Sequence, residues 1–311
     1  MKGFRGMLVL VMIIALPMTA TAVQFDKKAT TIDELAKMYD STQCKSCHPD
    51  IYAQWEKSHH ARPLMGIAGG LMMTPVVKSS AFAVKDPKQA TLKTFPCFKC
   101  HLPQAFANAD DSVAVELTEA LFAASAETAT DKEKADARAK VAKLQITCLV
   151  CHNEKAITHK LVLGKPENGV LYGNKEVASH PDATYKTVKK SVIMTQPIFC
   201  GQCHGTGPNF EFDYPVQCAT LYGSYQHNYL SHGGFMTCQE CHMKKVDGKA
   251  DHLLAPDFND KKETGELLSK SIQLDVQTLG YQFLRKAGTL IPMVVVNTKI
   301  TQDAGHRIPD G

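Results

Sequence analysis

The chain has 311 residues, enough for one large domain or two of ordinary size, and 44% of them are hydrophobic. Its formal charge of +4 is too small to indicate a nucleic-acid-binding protein. Its 11 cysteines would suggest disulfides in an exported protein, but ten of them form pairs with two residues between and a histidine directly after. That spacing excludes an ordinary disulfide framework.

The N-terminus has the pattern of an export signal. Lys2 and Arg5 precede an apolar run at residues 7–16, and small residues at 20–22 offer a cleavage site. The run is too short to span a bilayer comfortably, so we expect no stable membrane span. We predict a signal peptide at 1–22 and an exported mature chain, in the periplasm first, with the outer surface or the extracellular space as alternatives.

Five Cys-x-x-Cys-His motifs follow along the mature chain. The first four recur about every 50 residues without similarity between the intervening sequences, so they are not a true repeat. They are Cys44–Cys47–His48, Cys97–Cys100–His101, Cys148–Cys151–His152, Cys200–Cys203–His204 and Cys238–Cys241–His242.

The predicted secondary structure is sparse and mostly helical. A short helix is expected at residues 49–61, entered through a proline, and an apolar stripe at 113–122 predicts another. Thr130 and Glu133 have capping-box spacing, which starts a helix that runs to about Leu144. We interpret this helical pair as a solvated hairpin covering one flank, with partner docking as the alternative.

The C-terminal part changes character. Ile272, Leu274 and Val276 alternate with polar residues, and residues 290–298 are rich in β-branched side chains, so two antiparallel strands are expected. The predicted fold class is mainly α with much irregular structure, a haem-filled core and a small C-terminal antiparallel β element. We place the boundaries at 23–265 for a pentahaem domain and at 266–311 for the β segment.

Each motif has the chemistry of covalent haem attachment. Two thiols three positions apart share one side of a helical turn and can form thioethers to one porphyrin, and the histidine then reaches the iron as the proximal ligand. One chance match has a probability of about one in a hundred, so five are not accidental. A zinc site would need paired motifs close together, and a dithiol redox site would use one pair. The predicted cofactor is five covalently bound haem c groups.

One cysteine and eight histidines remain outside the motifs. Cys218 has no partner at motif spacing and is interpreted as a buried, inert thiol. The number of spare histidines favours bis-histidine ligation, although a methionine could serve one haem. The spare histidines are His59, His60, His159, His180, His227, His232, His252 and His306.

The first motif and its continuation resemble a known family. Cys44-x-x-Cys-His-Pro-Asp-Ile-Tyr-x-x-Trp-x-x-Ser-His-His-Ala is similar to the first haem motif of the multihaem group that includes the tetrahaem cytochrome of hydroxylamine oxidation and cytochromes of metal-reducing bacteria. The resemblance covers most of the mature chain and implies a superfamily, not one activity. It implies that a Ser-x-His-Ala histidine ligates a neighbouring haem, which favours His60 over His59.

Further distal ligands follow from the same resemblance. His159 comes after the third motif, His252 lies ten residues beyond His242, and a Gly-His-x-x-Pro-x-Gly turn presents His306. Since the chain stops at Gly311, His306 is expected either on a frayed tail or at a haem of another subunit. The ranked distal candidates are His60, His252, His180, His159 and His306, with His59, His227 and His232 in reserve.

Three functions are compatible with five haems. We favour an electron carrier or relay in anaerobic respiration of metals or other external acceptors, that is, an electron-transfer protein over an enzyme. The alternatives are a reductase of a nitrogen, sulfur or selenium oxyanion at one open-faced haem, and a subunit of a cytochrome filament. No Cys-x-x-Cys-Lys motif for a lysine-ligated active haem is present.

The expected partners are other redox proteins, that is, cytochromes or inner- and outer-membrane electron-transfer complexes, with self-association as a further possibility and no nucleic acid. Without Lys2 and Arg5 the chain has 35 − 2 = 33 basic and 31 acidic residues, a charge of +2. Haem propionates would lower this to roughly −3 when oxidised and roughly −8 when reduced. Docking to a cationic partner should therefore weaken as ionic strength rises.

Overall fold

The computed structural model describes residues 27–64, 84, 86–93, 98–157, 166–205, 208–209, 216–217, 220–256 and 260–308. The predicted signal peptide, Cys97, His159 and Cys218 lie outside the described residues. Within the described part, no helix is both long and apolar enough to cross a membrane.

Short helices, turns and irregular segments make up most of the molecule before residue 261. Five 3₁₀ turns lie at Thr42–Ser46, His59–Ala61, Pro87–Gln89, Val192–Thr195 and Leu230–His232, and a π-helical turn lies at Val150–Glu154. The α-helices are α1 (Ile32–Met38), α2 (Pro49–Lys57), α3 (Phe98–His101), α4 (Pro103–Asn108), α5 (Asp111–Ser125), α6 (Asp131–Val141), α7 (Pro197–His204), α8 (Leu221–Asn228), α9 (Cys238–His242) and α10 (Lys261–Ser271).

The strands form separate two-stranded sheets. Strands β1 and β2 are parallel, whereas β3 pairs with β4, β5 with β6 and β7 with β8 in antiparallel fashion. Their bounds are β1 (Val170–Gly173), β2 (Thr187–Lys190), β3 (Pro208–Asn209), β4 (Val216–Gln217), β5 (Lys245–Val246), β6 (Lys249–Ala250), β7 (Ile272–Lys286) and β8 (Thr289–Gln302).

An ordinary side-chain core lies in the first half of the chain. Val113, Leu117 and Leu121 recur at helical spacing on α5, and each is at most 1% exposed. They belong to one apolar cluster with Phe98 of α3 and Val141 of α6. The helical pair is therefore more than a solvated flank, because α5 lies in the main core. The predicted haem-filled core is therefore accompanied, in this half, by an ordinary side-chain core.

The second half has very little apolar core of its own. After Tyr185, the only large hydrophobic side chain buried among the described residues is Tyr225. The fourth and fifth Cys-x-x-Cys-His motifs, on α7 and α9, lie in this half. The described residues of this part supply few of the buried side chains with which a protein of its size would normally fill its interior.

Several predicted elements are confirmed, with different bounds. The helix after the first motif ends at Lys57 and is followed by a 3₁₀ turn that carries His59 and His60. Helix α6 begins after Thr130, whose hydroxyl accepts from the Glu133 backbone while the Glu133 carboxylate accepts from the Thr130 backbone, as a capping box requires. The C-terminal strands are present but much longer than predicted.

Candidate functional site

Each motif described in the structure lies on or beside a helical turn, which brings its two thiols to one side. Cys200, Cys203 and His204 lie on α7, and α9 consists of the fifth motif itself. The start of α9 is fixed by a second capping box, in which the Thr237 hydroxyl and the Glu240 carboxylate each accept a backbone N–H of the other residue. This geometry suits two thioethers to one porphyrin.

Four of the five motif histidines face a second histidine from a distant part of the chain. In every pair the ring centres are separated by slightly more than 6 Å. The pairs are His48 with His180 (6.4 Å, planes at 11°), His204 with His60 (6.2 Å, 89°), His152 with His252 (6.2 Å, 22°) and His242 with His306 (6.1 Å, 21°).

This spacing fits a metal ion between the rings. Stacked rings in direct contact would lie about 3.5–4 Å apart, so the pairs leave a gap. An imidazole nitrogen lies about 1.1 Å from its ring centre and binds a metal at about 2 Å, so two rings on opposite sides of one iron have centres about 6.2 Å apart. The residues present therefore fit an iron held by two axial histidines.

Backbone carbonyls set the tautomer of many of these rings. The Nδ1 atoms lie within hydrogen-bond distance of carbonyl oxygens, so Nδ1 carries the proton and Nε2 is left with its lone pair, as a ligand to iron requires. The contacts are His101 to Pro63 (2.8 Å), His152 to Tyr172 (2.8 Å), His180 to Tyr185 (2.8 Å), His242 to Ala255 (2.5 Å), His252 to Ala250 (2.8 Å) and His306 to Arg307 (2.9 Å).

Burial also favours the neutral, ligating form of the rings. It lowers the pKa of His60 to about 4, with smaller contributions from the nearby rings of His204, His59 and His101. Burial likewise lowers the pKa values of His152, His204 and His242. A proton at Nε2 would block coordination, so the environment prepares these histidines for a metal.

Hydrogen bonds outside the ring pairs hold His60 and His252 in position. The Trp55 indole N–H donates to the Ile146 carbonyl (2.9 Å), and the Ile146 N–H donates to the His60 carbonyl (2.9 Å). These bonds join the turn that carries His60 to the segment just before the third motif. The N–H of His252 donates to the Gln54 side chain at 3.0 Å.

The turn that carries His306 is held by helix α8. The backbone N–H of Arg307 donates to the Ser224 hydroxyl (2.7 Å), and its guanidinium donates to the Thr220 hydroxyl (3.2 Å). These bonds fix the end of the chain beside the fifth motif. The ring of His306 lies opposite that of His242 of the same chain, which favours a ligand within the chain over the expected frayed tail or ligand for another subunit.

Cysteine side chains of different motifs lie in contact, and these contacts show which motifs are neighbours. The Cys44 and Cys148 side chains lie within hydrogen-bond reach of each other. Cys200 and Cys238 interact in the same way, and so do Cys203 and Cys100. The first motif therefore lies beside the third, and the fourth lies beside both the fifth and the second.

The chain is similar to known proteins in sequence and in fold. Residues 43–129 match the family model described as cytochrome c554 and c-prime. Among solved structures, the chain is similar to a penta-heme cytochrome c552 from Thermochromatium tepidum, with a TM-score of 0.51 and 18% identity over 89% of this chain and 68% of that chain. No curated protein matches the chain.

These findings support a multihaem cytochrome c. The family match lies on the first and second motifs, and the structural likeness, at its low identity, concerns the fold. With the five motifs they support five covalently bound haem c groups and a role in electron transfer.

The second motif is only partly described by the structure. Among the described histidines, no ring is paired with His101 at the 6 Å spacing. His159, ranked as a distal candidate, lies outside the described residues, as does Cys97. The other four ranked candidates, His60, His180, His252 and His306, each face a motif histidine.

The reserve histidines occupy other positions. His227 and His232 are exposed on and after α8, and His59 lies half-buried on the same 3₁₀ turn as His60. A glycine that was not singled out from the sequence matters to the fourth motif. A Cβ on Gly201 would meet the Tyr222 ring at 2.8 Å, so only glycine lets α8 approach this motif so closely. The sequence could have indicated this role only through the position of Gly201 between the two cysteines of the fourth motif.

Proposed function

We propose that the protein is a pentahaem electron carrier or relay, exported to the periplasm or beyond, that serves anaerobic respiration of metals or other external acceptors. The observation that carries the proposal is the set of four opposed histidine pairs at 6.1–6.4 Å. An iron with a histidine on both faces has no open position for a substrate. Such a centre can exchange electrons, but it cannot bind a molecule to be reduced.

The residues have separate roles in this proposal. The motif cysteines hold the five porphyrins, and His48, His101, His152, His204 and His242 are the proximal ligands. His180, His252, His60 and His306 are the distal ligands for the first, third, fourth and fifth motifs. When bound, the haems supply one-electron redox centres, and two histidine ligands favour lower potentials than a histidine with a methionine.

The thiol contacts support an order for the relay. Cys44 touches Cys148 and Cys200 touches Cys238, while Gln202 of the fourth motif donates to the Lys155 carbonyl just after the third motif (2.9 Å). These contacts favour the order first, third, fourth and fifth motif, with the second motif beside the fourth. Because electron transfer slows steeply with distance, adjacent attachment sites favour conduction along this order.

The ends of the order are also the most accessible attachment sites. Cys47 of the first motif and Cys241 of the fifth are exposed, whereas the other described motif cysteines are partly buried. A donor and an acceptor, each another redox protein, could therefore meet opposite ends of the relay. The bound partners themselves are not specified by these contacts.

The reductase remains a second candidate because of the second motif. Among the described residues, His101 is the motif histidine without a paired ring, and His159, a ranked distal candidate, lies outside them. The filament hypothesis, which needs His306 as a ligand for the next subunit, is not favoured, because the ring of His306 lies 6.1 Å from that of His242 in the same chain.

Carbon monoxide binding to the reduced holoprotein tests the relay against the reductase. Haem content is fixed first as the pyridine haemochrome, and carbon monoxide is then titrated while the visible spectrum is recorded. The relay predicts five haems per chain with at most one that binds the gas. Binding at two or more haems would overturn the proposal. Binding at one haem, together with turnover of an oxyanion by that sample, would favour the reductase.

A further inference from the structure

The C-terminal hairpin is a long ribbon that the rest of the described chain leaves uncovered. Strands β7 and β8 have 15 and 14 residues, which corresponds to about 45–50 Å of length. Two-stranded hairpins are at best marginally stable alone in water. The exposed large hydrophobic side chains on it are Leu274, Val276, Leu279, Phe283, Leu284, Leu290, Ile291, Val294, Val295, Val296 and Ile300.

The strand register makes the ribbon amphipathic between its base and the bulge, whereas towards the tip Leu284, Ile291 and Val295 add apolar side chains to the opposite face. Leu274 pairs with Ile300 and Val276 with Thr298 on one face, where alternate residues of β8 continue the apolar series towards the tip. On the opposite face the same stretch carries polar pairs. Those pairs are Gln273 with Thr301, Asp275 with Lys299 and Gln277 with Asn297.

A β-bulge keeps the apolar face continuous. The register shifts between Thr278 and Gly280, so Leu279 is the extra residue of β7. Before the bulge the even-numbered residues of β7 lie on the apolar face, and after it the odd-numbered ones do. Phe283, paired with Pro292, therefore shares the face of Leu274. Without the extra residue Leu279, the side chain of Phe283 would lie on the opposite face of the ribbon.

The exposed area is large enough for a stable interface. Seven side chains of this face are between 46% and 70% exposed. At roughly 100 Å² each they would bury about 700 Å² per chain, close to the ~800 Å² per partner of a standard protein–protein interface. Apolar patches of this size on a protein surface normally mark a binding site. The seven are Leu274, Val276, Phe283, Leu290, Val294, Val296 and Ile300.

The chemistry of the face favours a second copy of the same chain. Arg285 is the one charged residue among its described positions, so it carries no charge pattern with which to select a charged partner. A twofold axis would bring the same apolar face onto itself, which makes it self-complementary. Two ribbons packed face to face form a four-stranded sandwich with the sheets about 10 Å apart, and Asp275 and Lys299 stay in water.

We propose that the apolar face of the β7–β8 ribbon is a homodimer interface, formed by two copies of this chain packed ribbon against ribbon. The inference concerns assembly and is independent of the electron-transfer role. It gives a reason for the 31-residue hairpin Ile272–Gln302, whose apolar side chains are not covered by the described part of the chain.

The test uses the intact holoprotein and a matched pair of double variants. Leu274→Glu with Ile300→Glu changes a cross-strand pair on the apolar face. Gln277→Glu with Asn297→Asp changes a cross-strand pair on the polar face and adds the same two negative charges. Both variants place like charges opposite one another, so their effect on the ribbon itself is matched.

Sedimentation equilibrium at micromolar concentration provides the readout. We expect wild type and the polar-face variant to have the mass of two chains, and the apolar-face variant to have the mass of one, with an unchanged visible spectrum and haem content. A monomeric wild type at the highest concentration reached, or an apolar-face variant that stays dimeric, would refute the proposal. A monomeric wild type that co-sediments with phospholipid vesicles would assign the face to a lipid surface instead.

Discussion

The ring of His306 lies 6.1 Å from the ring of His242, with the two planes at 21°. The whole β7–β8 hairpin separates them in sequence, yet the turn after β8 returns the chain to the fifth motif. The hydrogen bonds of Arg307 to Ser224 and Thr220 fix this return. A ligand position that depends on the last few residues of the chain is open to a direct test.

His306→Ala should convert one low-spin haem into a five-coordinate, high-spin one. The iron held by His242 would lose its second ligand, while the other three histidine pairs would be untouched. The measurement is the visible spectrum of the ferric protein together with carbon monoxide binding after reduction, which should rise by one equivalent per chain. His232→Ala is the control, because His232 is exposed and pairs with no motif histidine. An unchanged spectrum for His306→Ala would contradict the assignment.

Thr130→Ala should lower the free energy of unfolding by about 1 kcal/mol, the usual cost of losing an N-cap. The Thr130 hydroxyl accepts from the Glu133 N–H at the start of α6, and alanine has no acceptor to replace it. Denaturant unfolding followed by circular dichroism measures the loss. Thr128→Ala, two residues earlier in the exposed turn, should leave stability within about 0.5 kcal/mol of wild type. Equal losses in the two variants would mean that the cap contributes nothing special.

These local features are the ones that the sequence predicts well. The capping box at Thr130 and Glu133 and the apolar stripe through Val113, Leu117 and Leu121 depend on residues three or four positions apart. The sequence therefore predicts helix α6 and the apolar stripe of α5, although not that this stripe lies in the main core. The bounds still differ, since α6 ends at Val141.

The long-range parts of the fold were harder to predict. His48 faces His180, and nothing near either residue in the sequence indicates that pairing. The alternation that predicts β7 is interrupted at Leu279, where the bulge shifts the pattern by one residue, so the strand was predicted to end early. The core of the first half was missed because the apolar stripe of α5 was assigned to a flank and not to a centre.

Gly201→Ala should destabilise the protein by roughly 1–3 kcal/mol, the typical cost of overpacking. The new methyl group would meet the Tyr222 ring at 2.8 Å and push α8 away from the fourth motif. Gly223→Ala on α8 is the matched control, since a Cβ there meets nothing within 4 Å. In that helix alanine should stabilise by up to about 1 kcal/mol. Thermal unfolding of both variants measures these changes in stability. A Gly201→Ala protein as stable as wild type would refute the close packing of Tyr222 against Gly201.

The most direct test of the central claim is low-temperature EPR of the fully oxidised holoprotein. Near-parallel imidazole planes give a rhombic low-spin signal, whereas perpendicular planes give a strongly anisotropic one. The planes at 11°, 22° and 21° predict three rhombic low-spin haems, and the pair His60–His204 at 89° predicts one strongly anisotropic haem. Four low-spin haems per chain in this ratio would agree with the opposed pairs as axial ligands. A spectrum in which most of the iron is high-spin would contradict them.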